Sequence, residues 1–152
     1  MILIRLLKSG KIFIWAICNN LILQTFLEYY FYLFVMKIMH VITRSDLGGA
    51  QSVLINIVNS LCRENEVIVI AGEGDGKMWE LLDKRIRRIN VPALKRNISI
   101  INDIKVLFSF LSIYRRYEPD VIHLHSSKVG LLGRLAFPKG KVIYTVHGFE
   151  SI

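Results

Sequence analysis

From Lys37 onward the hydrophobic pattern switches repeatedly between continuous β-branched runs and helical spacing, and that alternation admits few folds. Residues 38–43 form a short apolar run ending in polar residues and glycines, the pattern of a buried strand. Leu54, Ile57, Val58 and Leu61 follow at i, i+3, i+4 and i+7 and predict one apolar face of a helix. Residues 66–71 read as a second buried strand, 78–85 as a short helix and 86–91 as a third strand. Ile104, Leu107, Phe108 and Leu111 repeat the helical spacing, and Pro119 closes that helix. Residues 120–124 then read as a strand, 127–136 as a helix and 141–146 as a fifth strand. Strands buried on both faces and alternating with helices predict an α/β fold, a Rossmann-like doubly wound parallel sheet. The right-handed crossover rule favours the strand order 3-2-1-4-5.

Residues 1–35 stand apart from this pattern. Arg5, Lys8 and Lys11 precede a mostly apolar, aromatic-rich stretch that carries Asn19, Asn20, Gln24 and Glu28 near its middle. A membrane helix needs about 20 apolar residues, and a central acidic residue costs roughly 2.5–3.5 kcal/mol on insertion scales. No small-residue cleavage site of a signal peptide is present. Three readings stand: a membrane anchor, an upstream extension with Met36 as the true start, or an amphipathic helix docked on the domain. The direct run into the first strand, with no linker, favours the extension. Residues 36–152 are expected to be part of a single α/β domain.

Composition narrows the function. The chain of 152 residues is 53% apolar and 21% charged, which excludes a disordered polyelectrolyte. Its net charge of +8, from 20 Lys and Arg against 12 Asp and Glu, suits nucleic acid, anionic lipid or a phosphate-bearing small molecule. Cys18 and Cys62 have no paired spacing, so neither a disulfide framework nor a cysteine zinc site is encoded, and a reducing compartment fits best. Lys84, Arg85, Arg87, Arg88, Lys95 and Arg96 form a basic cluster suited to a solvated face or anionic lipid. No aromatic stacking platform is interleaved with them, so a nucleic-acid partner is not expected.

In an open α/β sheet, ligands sit beyond the carboxyl ends of the strands, at the topological switch between strands one and four. The segments there are 44–51, 72–76, 92–98, 125–130 and 147–150. Gly48-Gly49-Ala50-Gln51 follows strand one and opens a helix, so backbone can come close to a ligand beneath a positive helix end. That arrangement suits a diphosphate, although a plain tight turn has the same sequence; neither the dinucleotide fingerprint nor a P-loop is present. Gly72-Glu73-Gly74-Asp75-Gly76 reads as a flexible connection. His123 and His125 share one face of strand four but could hold zinc only with a third ligand, and none is evident. A hydrogen-bonded or packed pair is therefore expected. Ser126, Ser127 and Lys128 open the next helix and could receive an anion. Gly130 and Gly133 allow that helix to pack closely. His147, at the end of strand five, could relay a proton or bond a sugar hydroxyl, or could be a capped core residue.

Three segments together resemble a known family. Met36-Lys37-Ile38-Met39-His40-Val41-Ile42-Thr43 leading into Gly48-Gly49-Ala50-Gln51 looks like the opening of bacterial glycosyltransferases of the subfamily 4-like kind, with the GT-B fold. Pro119-Asp120-Val121-Ile122-His123-Leu124-His125-Ser126-Ser127-Lys128, with Gly130 and Gly133-Arg134, resembles their fourth strand and helix. Tyr144-Thr145-Val146-His147-Gly148 resembles their fifth strand. The resemblance implies the N-terminal, acceptor-side part of a two-domain enzyme that transfers sugar, with retention, from a nucleotide-sugar donor to a glycan or lipid-linked acceptor. It implies work at the cytoplasmic face of the inner membrane, as a peripheral or anchored protein, without a metal or other cofactor. By the same resemblance Gly48, Gly49 and Gln51 would steady the donor diphosphate and His147 would sit at the reacting sugar, with Ser127, Lys128 and Arg134 as further substrate contacts. The family's donor-gripping motif belongs to a C-terminal domain, which a separate half would have to supply. Little or no transfer is therefore expected of this polypeptide alone. The rival readings are a non-catalytic membrane-associated α/β module and an oxidoreductase nucleotide-binding domain.

Overall fold

The computed structural model describes residues 35–137 and 140–147. The three readings of the N-terminal stretch, and Gly148 of the last motif, fall outside the described residues. Five parallel strands form one sheet in the order β3-β2-β1-β4-β5. They are β1 (Lys37–Ile42), β2 (Glu66–Ala71), β3 (Arg87–Asn90), β4 (Val121–Leu124) and β5 (Val142–Tyr144). Helices α1 (Gly49–Leu61), α2 (Lys77–Glu80), α3 (Ile100–Tyr117) and α4 (Ser127–Ala136) fill the crossovers. The predicted fold class and strand order are those observed. Among the described residues, no helix is long and apolar enough to cross a membrane.

Alternation along each strand sends side chains to opposite faces, and two apolar layers result. Met39, Val41, Ile68, Ile70, Ile122 and Leu124 meet Val106 and Phe110 of α3 and Val129 and Leu132 of α4. On the other face Ile42, Val67, Val69 and Ala71 meet Leu54, Ile55 and Val58 of α1, with Met78 of α2. The central strands β1 and β2 are buried almost throughout, as a parallel sheet covered on both faces requires.

Two sequence expectations change. The helix expected over 78–85 is a single turn, Lys77–Glu80, entered through Gly76 in the left-handed region at φ 78. For α3 the stripe Ile104, Leu107, Phe108 and Leu111 is only half on the core face: Leu107 and Leu111 pack against the core, Ile104 and Phe108 are exposed, and Val106 and Phe110 are the fully buried centre of the face. The apolar residues of this helix cover more than one face, so spacing alone does not fix the centre of the buried one; contact with Phe137 places it at Phe110. Its end is as expected: Glu118 takes a left-handed cap at φ 45 and Pro119 follows.

The small residues of α4 set its height above the sheet. A Cβ on Gly133 would lie 2.7 Å from the Leu124 side chain, and one on Gly130 would lie 2.8 Å from the Tyr144 ring. The helix therefore rests directly on β4 and β5, and its first turn stands beside the end of β1.

Candidate functional site

All five strands point the same way, so the loops that follow them share one edge, and the glycine turn after β1 and the histidine after β5 are both on it. At the switch between β1 and β4 lies a cleft of about 330 Å³, bordered by Thr43, Arg44, Gln51, Arg96, His125 and Ser126, with Ser127 and Lys128 beside them.

Two helices begin at this cleft. α1 starts after Gly48, which is extended at φ −164; the helix has no side-chain cap and no acidic residue in its first turn. α4 likewise lacks both. The Ser126 hydroxyl bonds across to Thr43 Oγ1 and so ties α4 to β1 instead of capping its own helix. Each start therefore keeps the partial positive charge of free N–H groups. A Cβ on Gly49 would meet nothing within 4 Å, so open space lies over that turn. Gln51 braces the loop, donating from Nε2 to the Arg44 carbonyl at 3.3 Å.

The glycine segment after β2 is a brace and not the flexible connection its composition suggested. Ser45 N donates to the Glu73 carbonyl at 2.9 Å, and Gly72 N donates to the Thr43 carbonyl at 3.2 Å. Asp75 N donates to Asp46 Oδ1 at 2.8 Å, and Asp46 is ion-paired with Arg44. The bond from Asp75 N, followed by that from Arg44, holds the Asp46 carboxyl below the usual carboxylate range. Gly74 at φ +147 permits this path, which side chains rarely follow.

Four imidazoles gather at the same end. His40 of β1 stands opposite His123 of β4 in the sheet register. His40 Nδ1 and His125 Nε2 are 3.0 Å apart, His125 Nδ1 and His147 Nε2 are 3.0 Å apart, and His123 Nε2 is 2.7 Å from Thr145 Oγ1. Burial, then the neighbouring His123, lowers the pKa of His40 to about 3. Burial, then His123, His40 and His147, lowers that of His125 to about 2. Burial also lowers that of His123.

The third imidazole missing from the sequence reading of His123 and His125 is therefore His40, whose ligand atoms come within 4.8 Å of theirs. In this arrangement, however, both nitrogens of His125 and Nδ1 of His40 are already engaged with other imidazoles. A metal would have to break one of those bonds, and the expected hydrogen-bonded histidines describe the geometry better than a cation site does.

The sequence-derived residues divide as follows. Gln51, Ser127 and Lys128 border the cleft, Gly48 and Gly49 form the turn that leads into the helix beside it, and His147 joins through His125. Lys128 is not a free cation there. Its ammonium lies 2.6 Å from Asp103 Oδ1 and 2.6 Å from the Asn97 carbonyl, which fastens α4 to the start of α3. Arg134 is separated from the cleft by about 10 Å of helix; it lies over the Tyr144 ring at 5.8 Å. Sequence reasoning missed Thr43 and His40, and placed Arg44 at the rim without giving it a role. Arg96 stood within the rim segment 92–98 and the basic cluster without a role of its own, and the cluster splits: Arg96 reaches the cleft, Arg85 pairs with Asp83, and Arg87 lies over Tyr117.

This is the Rossmann-like α/β arrangement from which each domain of a GT-B protein is built. Residues 47–151 match the family model described as Glycosyltransferase Family 4, and the chain belongs to that family as an N-terminal domain. It is similar to the UDP-Gal:alpha-D-GlcNAc-diphosphoundecaprenol alpha-1,3-galactosyltransferase of Escherichia coli, at 38% identity over 117 residues. That match covers 75% of this chain but 30% of the relative, so the chain spans about a third of the relative's length. Among solved structures, Anabaena HepE in complex with UDP and glucose aligns with a TM-score of 0.53 at 18% identity, over 74% of this chain and 30% of that one. The apo lipopolysaccharide outer core galactosyltransferase WaaB aligns with a TM-score of 0.52 at 16% identity, over 72% and 32%. Both likenesses establish the shared fold.

Proposed function

We propose that this chain forms part of the acceptor-side domain of a retaining, nucleotide-sugar-dependent glycosyltransferase of polysaccharide or lipid-linked glycan synthesis, and transfers little or no sugar by itself. The observation that carries the reading is the convergence of two uncapped helix starts, α1 and α4, on one cleft at the sheet's switch point. Such a cleft attracts an anion with several oxygens through backbone N–H groups, as a donor diphosphate would offer. Gly48 and Gly49 let the diphosphate approach, Gln51 holds their loop, and Ser127 offers the second helix start. His147 faces the reacting sugar, while Lys128 acts by holding α4 in place. A uridine nucleotide donor is supported by the name of the E. coli relative and by the UDP in HepE. The nucleoside pocket belongs to a C-terminal half. The two helix ends supply a positive field to the diphosphate.

Titration with UDP, followed by amide chemical shifts, tests this reading. We expect the shifts to concentrate at Gly49, Ala50, Gln51 and Ser127. Gly49→Ala should weaken binding about tenfold, or ~1.4 kcal/mol, while leaving the fold intact because its new methyl points into open space. Shifts confined to other surfaces, or unchanged affinity in the variant, would refute it.

The same reading includes peripheral contact with the cytoplasmic face of the inner membrane. Ile98, Ile100, Ile101, Ile104 and Phe108 are large exposed apolar side chains around the start of α3, and Lys95 and Lys105 are exposed beside them. Apolar residues with adjacent cations suit an anionic lipid surface. The full chain should float with vesicles containing phosphatidylglycerol and not with pure phosphatidylcholine, and Phe108→Ser with Ile101→Ser should reduce flotation severalfold. Equal flotation of wild type and variant would argue against this surface.

A further inference from the structure

Three of the clustered imidazoles are joined end to end. The first contact links His40 Nδ1 to His125 Nε2 and the second links His125 Nδ1 to His147 Nε2, each at 3.0 Å. Each contact needs one proton, since two bare ring nitrogens repel and two N–H groups clash. A neutral imidazole carries one proton, so fixing any member fixes the other two. Only two arrangements satisfy both contacts: every proton on Nδ1, or every proton on Nε2.

The buried end distinguishes them. His40 is 1% exposed, and its Nε2 is buried without a hydrogen-bond partner. With all protons on Nε2, this atom would be a buried N–H with nothing to receive it, a situation native structures avoid more strictly than an unfilled acceptor. With all protons on Nδ1, His40 Nε2 is only a bare lone pair, and the last N–H emerges from His147 at the half-exposed rim. Burial also keeps His40 and His125 uncharged, so no additional proton relaxes the constraint. His123 stands outside the chain, engaged with Thr145.

We infer that His40 and His125 are positioning residues that lock His147 in its Nδ1–H tautomer, making it a fixed hydrogen-bond donor to a ligand oxygen at the sheet edge and not a free base. This inference rests on the proposed role of His147 beside the reacting sugar, but its test does not. Long-range proton–nitrogen correlation of the full chain, labelled with ¹⁵N in its imidazoles and held at pH 8, reads each tautomer directly. We expect His40, His125 and His147 all to show Nδ1–H, although free histidine in water favours Nε2–H. In His40→Phe the chain loses its fixed end, and His147 should return mainly to Nε2–H. His147→Ala, which removes only the outer member, should leave His40 and His125 as Nδ1–H and serves if the first variant does not fold. An Nε2–H signal or a tautomer average at any of the three in the wild type would overturn the inference. Locked Nδ1–H tautomers combined with no response of the cleft to UDP would leave the lock standing and remove the diphosphate reading of the cleft instead.

Discussion

Lowering the pH from 7 to 5 is expected to strip the domain of a large part of its stability, well before its carboxylates titrate. The cause is the buried imidazole group. His40 has its pKa lowered to about 3 and His125 to about 2, in both cases chiefly by burial, against an ordinary value near 6.5. The folded state thus refuses protons that the unfolded chain accepts. Their stabilisation is fully present above pH 6.5 and is lost progressively as the pH falls toward the folded values. Each histidine loses about 1.4 kcal/mol per pH unit, so at pH 5 the two together remove roughly 4 kcal/mol. This figure does not depend on where the folded values lie, provided both stay below 5. Against a total of about 5–15 kcal/mol for a domain, that loss is severe.

The carboxylates act lower. Asp46, Asp75 and Asp83 also have lowered pKa values, each first through a hydrogen bond, so their contribution is present above about pH 4 and lost below it. Urea midpoints measured between pH 7 and 4.5 therefore report the histidines alone. We expect a steep fall in the wild type and a clearly shallower one in His40→Phe, in which His125 and His123 still resist protonation. A flat profile over this window would show that the imidazoles admit protons in the folded state.

Much of the fold was legible because the central strands are continuous β-branched runs. Residues 66–71 can only be a strand buried on both faces, and Gly48-Gly49 before an apolar period can only open a helix. The failures have physical causes. α3 is apolar over more than one face, and only the sheet shows that the buried one centres on Val106 and Phe110 and leaves Ile104 and Phe108 outside. The segment 72–76 looked flexible because glycine composition cannot show that Gly74 and Gly76 adopt positive φ to deliver Asp75 N to Asp46.

The site was legible where it depends on one strand end and obscure where it depends on register. His123 and His125 are two residues apart, so their shared face follows from period two. His40 precedes them by more than 80 residues and joins them only because β1 pairs with β4 so that His40 lies opposite His123. Lys128 and Arg134 both looked available to an anion. Nothing in the local sequence reveals that Asp103 claims the first, or that the helix carries the second away from the rim.

Gly72→Ala is expected to be the most damaging conservative substitution in the domain, although it adds one methyl group. The new Cβ would lie 1.8 Å from the Leu94 carbonyl oxygen and 2.7 Å from its carbonyl carbon. Both are backbone atoms, so no side-chain rotation relieves the clash. The Leu94 carbonyl accepts from Glu73 N at 3.0 Å, and the Leu94 side chain is fully buried in the layer beneath α3. Moving the segment aside therefore breaks a hydrogen bond and unseats a core residue at once. Overpacking of this kind costs about 1–3 kcal/mol and occasionally more; the loss of the bond and of Leu94 packing places this case near the upper end. In a domain of this size, ~3 kcal/mol lowers Tm by more than about 10 °C. The effect should reach the cleft as well, because Arg96 N is held by Glu73 Oε1 at 2.7 Å and the Arg96 side chain borders the site. Gly49→Ala, whose Cβ meets open space, supplies the control, with a melting temperature close to wild type. Thermal unfolding of the two variants side by side decides the matter: similar melting temperatures would mean that the loop after β3 yields freely, and that the brace between β2 and the rim does not hold the cleft in shape.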